Sequence, residues 1–117
     1  MATMNRVIEY VDEIRPNAYS DDYKYKWMSN LDGIIAREVM QIDAPCYDYP
    51  ADADNDLLVA APFDDLYWMY VIMNIDLTDR EYDHYNNMAM VFNNRLEQYK
   101  AWYIQNNRPT KHKAVLG

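Results

Sequence analysis

The stretch "EYDHYNNMAMVFNNRLEQY", residues 81–99, holds two competing patterns. Asp83 and His84 are adjacent, with carboxylates just upstream, a combination found in metal and acid–base sites. The same residues place Tyr82, Tyr85, Ala89, Phe92, Leu96 and Tyr99 at alternating steps of three and four, and Tyr103 continues the series. That spacing is the buried stripe of a long α-helix. In its register Asp83 and His84 fall off the stripe and face solvent. Two ligands share a helix face only when three or four residues apart, and Glu81 is the one ligand His84 has at such a distance. Packing explains the tyrosines, so the stretch reads as a structural helix over about residues 79–106.

Working outward, Thr78-Asp79-Arg80-Glu81 fits a capping box at the start of that helix. Before it, Pro62 opens a third helix with Asp64 and Asp65 in the first turn. Its segment "LYWMYVIM", residues 66–73, is apolar on nearly every side. Such a helix is central to its bundle or covered by a partner. A second helix is capped by Ser20, has Asp21 and Asp22 at its positive end, and runs to about residue 42. It is expected to turn Tyr23, Trp27, Leu31, Ile34, Ile35 and Val39 inward, with Gly33 allowing another helix to approach. Thr3 caps a first helix carrying Val7, Ile8, Val11 and Ile14 before Pro16 ends it. The core is expected to hold Trp27, Leu31, Phe92 and Leu96, with Leu66, Tyr70 and Met73 between helices. Between the second and third helices lies "DAPCYDYPADADNDLLVAA", residues 43–61, longer than most loops in compact domains. Its length suggests binding or mobility, and "LLV" suggests a short extended piece.

The totals agree. Two glycines in 117 residues are too few for an all-β domain with its tight turns. The length favours one domain, and 12 Tyr, 3 Trp and 2 Phe supply aromatic mass for its core. The expected fold is all-α: a small bundle of about four helices with a long acidic loop between helices 2 and 3. It forms a single domain over 1–107, followed by a basic tail, 108–117, expected to be mobile. One cysteine, Cys46, excludes an internal disulfide. Glu9 interrupts the N-terminal stretch before any apolar run, so no signal peptide is expected. The longest apolar run reaches eight residues, against about 20 for a membrane helix.

The net charge of −8 argues against nucleic-acid binding through bulk positive charge. It is unevenly spread. Residues 43–65 hold seven Asp and no Lys or Arg, whereas 100–117 hold Lys100, Arg108, Lys111 and Lys113 with no acid. An acidic middle and a basic tail can meet each other or a neighbouring copy. "Asp52-Ala53-Asp54-Asn55-Asp56" imitates the first ligands of a calcium loop. Leu57 stands where the loop needs glycine and Phe63 where it needs a bidentate Glu, so an exposed acidic loop is the better reading. Cys46, Ser20 and Ser29 sit in no nucleophile motif, and there is no glycine loop for phosphate. His112 lies in the basic tail. No catalytic, metal or cofactor-binding residue is expected, and no enzyme activity.

Two stretches, "IRPNAYSDDYKYKWMSNLDGIIAREV" (14–39) and "LLVAAPFDDLYWMYVIMNIDLTDREYDHYNNMAMVFNNRLEQYKAWYIQNNRP" (57–109), resemble a known family. With "RPN" before Ser20, "LLV" leading to a proline–aromatic–Asp-Asp-Leu-Tyr run, and "EYDHYNN" leading to "FN" and "WY", the chain is similar to the small head–tail connector, head-completion or adaptor, proteins of tailed phages, as carried in prophages of Gram-positive bacteria. The resemblance implies copies assembled as a ring below the portal, joining head to tail and extending the DNA channel. The implied partners are the portal protein, neighbouring copies and the next connector or tail protein. Double-stranded DNA would pass through without sequence-specific binding. The implied place is the virion, after assembly in the host cytoplasm, with no membrane and no cofactor. Candidate interface residues are Asp52, Asp54 and Asp56 of the loop, Tyr67 and Trp68 of the third helix, and Arg108, Lys111 and Lys113 of the tail. One rival is a helical protein-binding module or phage regulator outside the virion. Another is a metal-dependent enzyme using Asp76, Asp79, Glu81, Asp83 and His84.

Overall fold

Thr3 starts the first helix as its sequence position predicts: its hydroxyl accepts the Arg6 amide at 3.2 Å. In the computed structural model, which describes residues 2–48 and 51–107, α1 then spans Met4–Ile14. Met4, Val7, Ile8 and Val11 are buried, while Ile14 stays 46% exposed at the end of the helix. The turn that follows is fastened by Asn17. Its Oδ1 accepts the Tyr19 amide and its Nδ2 donates to the Arg15 carbonyl and to Asp12. This is a side chain imitating a backbone turn.

Helix α2 (Asp21–Ile34) begins after Ser20, which occupies the cap position without a side-chain capping bond. It continues as a π-helical stretch, Ile35–Met40, and Gln41 ends it in the left-handed region (φ 56°). The buried face is displaced from the predicted one. Leu31 and Ile35 are buried as predicted, but Tyr23 is 58% exposed and Trp27 half-buried, while Lys24, Tyr25, Met28 and Asp32 are buried. Apolarity alone misplaced the stripe because two charged residues on the inner face are paired: Lys24 Nζ lies 2.6 Å from Asp12, and Asp32 is treated below. Gly33 admits no close neighbour, since a methyl group there would meet only the Arg37 guanidinium at 3.9 Å.

Helix α3 (Asp65–Thr78) is central and packs against α1, α2 and the longest helix, α4 (Tyr82–Asn106). Leu66, Tyr67, Met69, Val71, Ile72, Met73, Ile75 and Asp76 are buried. Its all-round apolar surface is therefore covered by its own chain. It begins three residues later than predicted, because 61–64 form a turn containing a cis Ala61–Pro62 bond. The predicted capping box does not form. Thr78 belongs to the last turn of α3, where its hydroxyl donates to the Asn74 carbonyl. Arg80 adopts φ 60°, and the Glu81 amide returns to the Asp76 carbonyl at 2.8 Å before α4 starts.

Helix α4 keeps the predicted stripe, with Phe92 and Tyr99 buried and Tyr85, Ala89, Leu96 and Tyr103 half-buried against the core. Tyr82 at its start is 56% exposed. Arg95 clamps α4 to the start of α3. Its Nε donates to both oxygens of Asp65 at 3.1 Å, its Nη2 donates to the Pro62 carbonyl, and its plane lies 4.5 Å from the Phe63 ring centre. The described part is thus a small all-α fold of four helices.

Candidate functional site

The long connection between α2 and α3 was expected to be exposed, and its inner half is instead part of the core. Ala53, Leu57 and Val59 are buried. The Leu57 amide donates to the Ala2 carbonyl, the Asn5 amide to the Ala53 carbonyl, and Thr3 and Asp56 form an isolated antiparallel bridge. Asp32, fully buried on α2, supplies the deepest anchor. One carboxylate oxygen accepts the Tyr67 hydroxyl at 2.5 Å; the other accepts the Tyr47 hydroxyl and the Leu58 amide. The Tyr67 oxygen in turn accepts the Val59 amide at 2.8 Å.

Three groups thereby satisfy a charge that would otherwise be costly to bury. Burial raises the Asp32 carboxyl above its ordinary range, opposed by the bonds from Tyr47, Tyr67 and Leu58. Burial, with the charge of Asp32 beside it, pushes the Tyr67 phenol far above its usual value. Tyr67 therefore cannot serve as the surface residue it was expected to be. It is 0% exposed, and its hydroxyl bonds inside the chain.

A second polar centre lies where α1, α3 and α4 meet. Asp76 is 1% exposed and pairs with Arg15, whose Nη2 also donates to His84 Nδ1 at 3.1 Å. Desolvation raises the Asp76 carboxyl, while Arg15 and then His84 pull it down. Close by, the Tyr19 hydroxyl donates to Asp79 at 2.5 Å. The opening pattern is thus answered. Asp83 and His84 are exposed, as the helix register predicts, and His84 contributes one nitrogen to a structural ion pair between helices. Among the described residues, no three His, Cys, Asp or Glu side chains are placed to hold a metal ion.

The other expected site residues are dispersed. Asp52 is half-buried and turned into its own loop, accepting the Asp48 amide at 2.7 Å and the Asn55 side chain at 2.9 Å. Asp54 is exposed and accepts Asn5 Nδ2 at 2.8 Å; Asp56 is exposed. Their oxygens do not converge as calcium ligands must. Trp68 is half-buried, with its ring 5.4 Å from the exposed Tyr10. Arg108, Lys111 and Lys113 lie outside the described residues. Comparison of the chain with protein-family models, curated proteins and solved structures finds no match.

What the surface offers instead is aromatic and aliphatic. Besides Tyr10 and Tyr23, Met90, Val91, Trp102 and Ile104 of α4 are exposed, Met90 by 72%. Tyr19, Tyr23 and Trp27 form a surface triad with ring centres 6.0–6.3 Å apart. Sequence reasoning missed this triad because it assigned Tyr23 and Trp27 to the interior. It missed Asp32 for the converse reason: nothing in a linear pattern marks an aspartate as buried. No described helix is long and apolar enough to cross a membrane.

Proposed function

We propose that this chain is a non-enzymatic head–tail connector of a tailed phage, assembling as a ring below the portal. The observation that carries the reading is the imbalance of α4. Of its 25 residues only Phe92 and Tyr99 are buried, and Tyr82, Met90, Val91, Trp102 and Ile104 stand at the surface. Apolar and aromatic side chains of this kind suit interfaces. A ring subunit needs two different contact faces, because head-to-tail contacts around a cycle are heterologous. The resemblance of segments 14–39 and 57–109 supports the same reading. Both buried polar networks serve to fasten helices and loop, which supports a part that works by holding shape.

In this reading the partners are the portal, neighbouring copies, and the next connector or tail protein. The exposed Asp54 and Asp56 belong to a surface that repels phosphate, so DNA slides past without sticking. The protein's place is then the head–tail interface of the virion. The test is to mix the purified chain with the portal ring of the same source and follow sizing with light scattering. Co-elution in a portal-sized complex with several copies per ring is the expected result. No association at micromolar concentration and moderate salt would overturn the reading in favour of a one-partner binding module.

A further inference from the structure

Tyr19, Tyr23 and Trp27 line a groove of about 550 Å³ with Ala18, Ser20 and Thr78, at the junction of the α1–α2 turn and the end of α3. One carboxylate borders it: Asp79 accepts the Tyr19 hydroxyl, whereas Asp21 and Asp22, which follow Ser20, act on Tyr25. The basic residues within sequence reach are Arg15, paired with Asp76, Lys24, buried and paired with Asp12, Lys26, one turn after Tyr23, and Arg80, which follows Asp79. Aromatic faces with a carboxylate at the rim suit cationic side chains on an extended backbone.

The chain itself contains such a segment. All 19 acidic residues precede position 108, and residues 108–117, "RPTKHKAVLG", carry Arg108, Lys111 and Lys113 without an acid. Ten residues span at most roughly 35 Å when extended, enough to leave one copy and reach another. We propose that this groove receives the basic segment 108–117 of a second copy, with Lys or Arg stacked on Tyr23 and Trp27 and paired with Asp79.

The competing groove between α1 and α3, lined by Tyr10, Trp68, Asp64 and Asp65, suits a cation less. Arg6 lines it, and Asp65 is already held by Arg95. The inference rests on the ring reading in one respect, that copies meet head to tail, but it needs no portal, so its test is separate.

Two full-length variants make that test. Tyr23→Ala removes an exposed ring from the groove and leaves the segment intact. Lys111→Glu with Lys113→Glu reverses the segment's charge and leaves the groove intact. Sedimentation equilibrium of the unaltered chain, up to roughly 1 mM to catch a contact that weak, is expected to show association that about 0.5 M salt reverses. Each variant alone should associate at least about tenfold more weakly. Their mixture should form a capped dimer, because one variant supplies a working groove and the other a working segment. Two results would overturn the proposal: a mixture no larger than either variant alone, or association that Tyr23→Ala leaves unchanged. Melting curves of both variants matching the unaltered chain establish that neither result comes from unfolding.

Discussion

Removing the single hydroxyl of Tyr67 takes a partner from two buried groups at once, one oxygen of the Asp32 carboxylate and the Val59 amide. Tyr67→Phe is therefore expected to cost about 1–3 kcal/mol, the penalty of an unsatisfied buried group, read as a lower urea midpoint with an unchanged slope. Asp32 itself couples stability to pH. Burial raises its folded-state pKa above the unfolded value near 3.9, so the folded state holds the proton more tightly. Stability from this group is full below about pH 4 and is lost as pH rises through the folded-state pKa. Asp32→Asn removes that titration. Denaturant unfolding of both proteins from about pH 4 to 7 should show the unaltered chain losing ground to the Asn variant. A constant difference across that range would mean that Asp32 titrates normally.

Among the elements, α4 follows its heptad spacing most faithfully, and its burial is graded. Phe92 is 5% exposed and touches Tyr70 with ring centres 5.5 Å apart, whereas Leu96 is half-buried. Phe92→Ala should cost about 3–5 kcal/mol and Leu96→Ala about 1–2 kcal/mol, since a half-exposed side chain leaves less of a cavity. Thermal unfolding of the pair checks the order; equal losses would place Leu96 deeper than the structure does. Helix α2 shows the opposite case. Its inner face includes Lys24 and Asp32, so counting apolar residues shifted the stripe by about one position. Helix boundaries went astray where backbone, rather than pattern, decides them. The α3–α4 junction is set by Arg80 at φ 60° and by the Glu81 amide returning to Asp76, and neither leaves a trace in composition.

At the scale of the molecule, Arg15 joins three helices, pairing with Asp76 of α3 and donating to His84 of α4 from the end of α1. Replacing it with Met leaves a carboxylate buried without its cation. The cost should be about 2–3 kcal/mol, below the 3–5 of a fully buried pair because the Arg15 side chain is 31% exposed. Asp76→Asn in the same background should recover part of that loss, measured as unfolding free energy in a double-mutant cycle. No recovery would mean that Arg15 acts through packing alone.

The sequence by itself determined the all-α class, four helices, the Thr3 cap, the inward stripe of α4 and the outward position of Asp83 and His84. These follow from local spacing and backbone preference, which need no knowledge of neighbours. Only the tertiary structure decided that Ala53, Leu57 and Val59 enter the core, that Tyr67 is interior, and that Tyr19, Tyr23 and Trp27 lie together at the surface. A buried charge is tolerated only where distant partners converge on it. Asp32 meets Tyr67 across 35 positions, and Arg15 meets Asp76 across 61. The spacing of a helix says which side chains share a face, but the partners brought to that face decide whether it is buried.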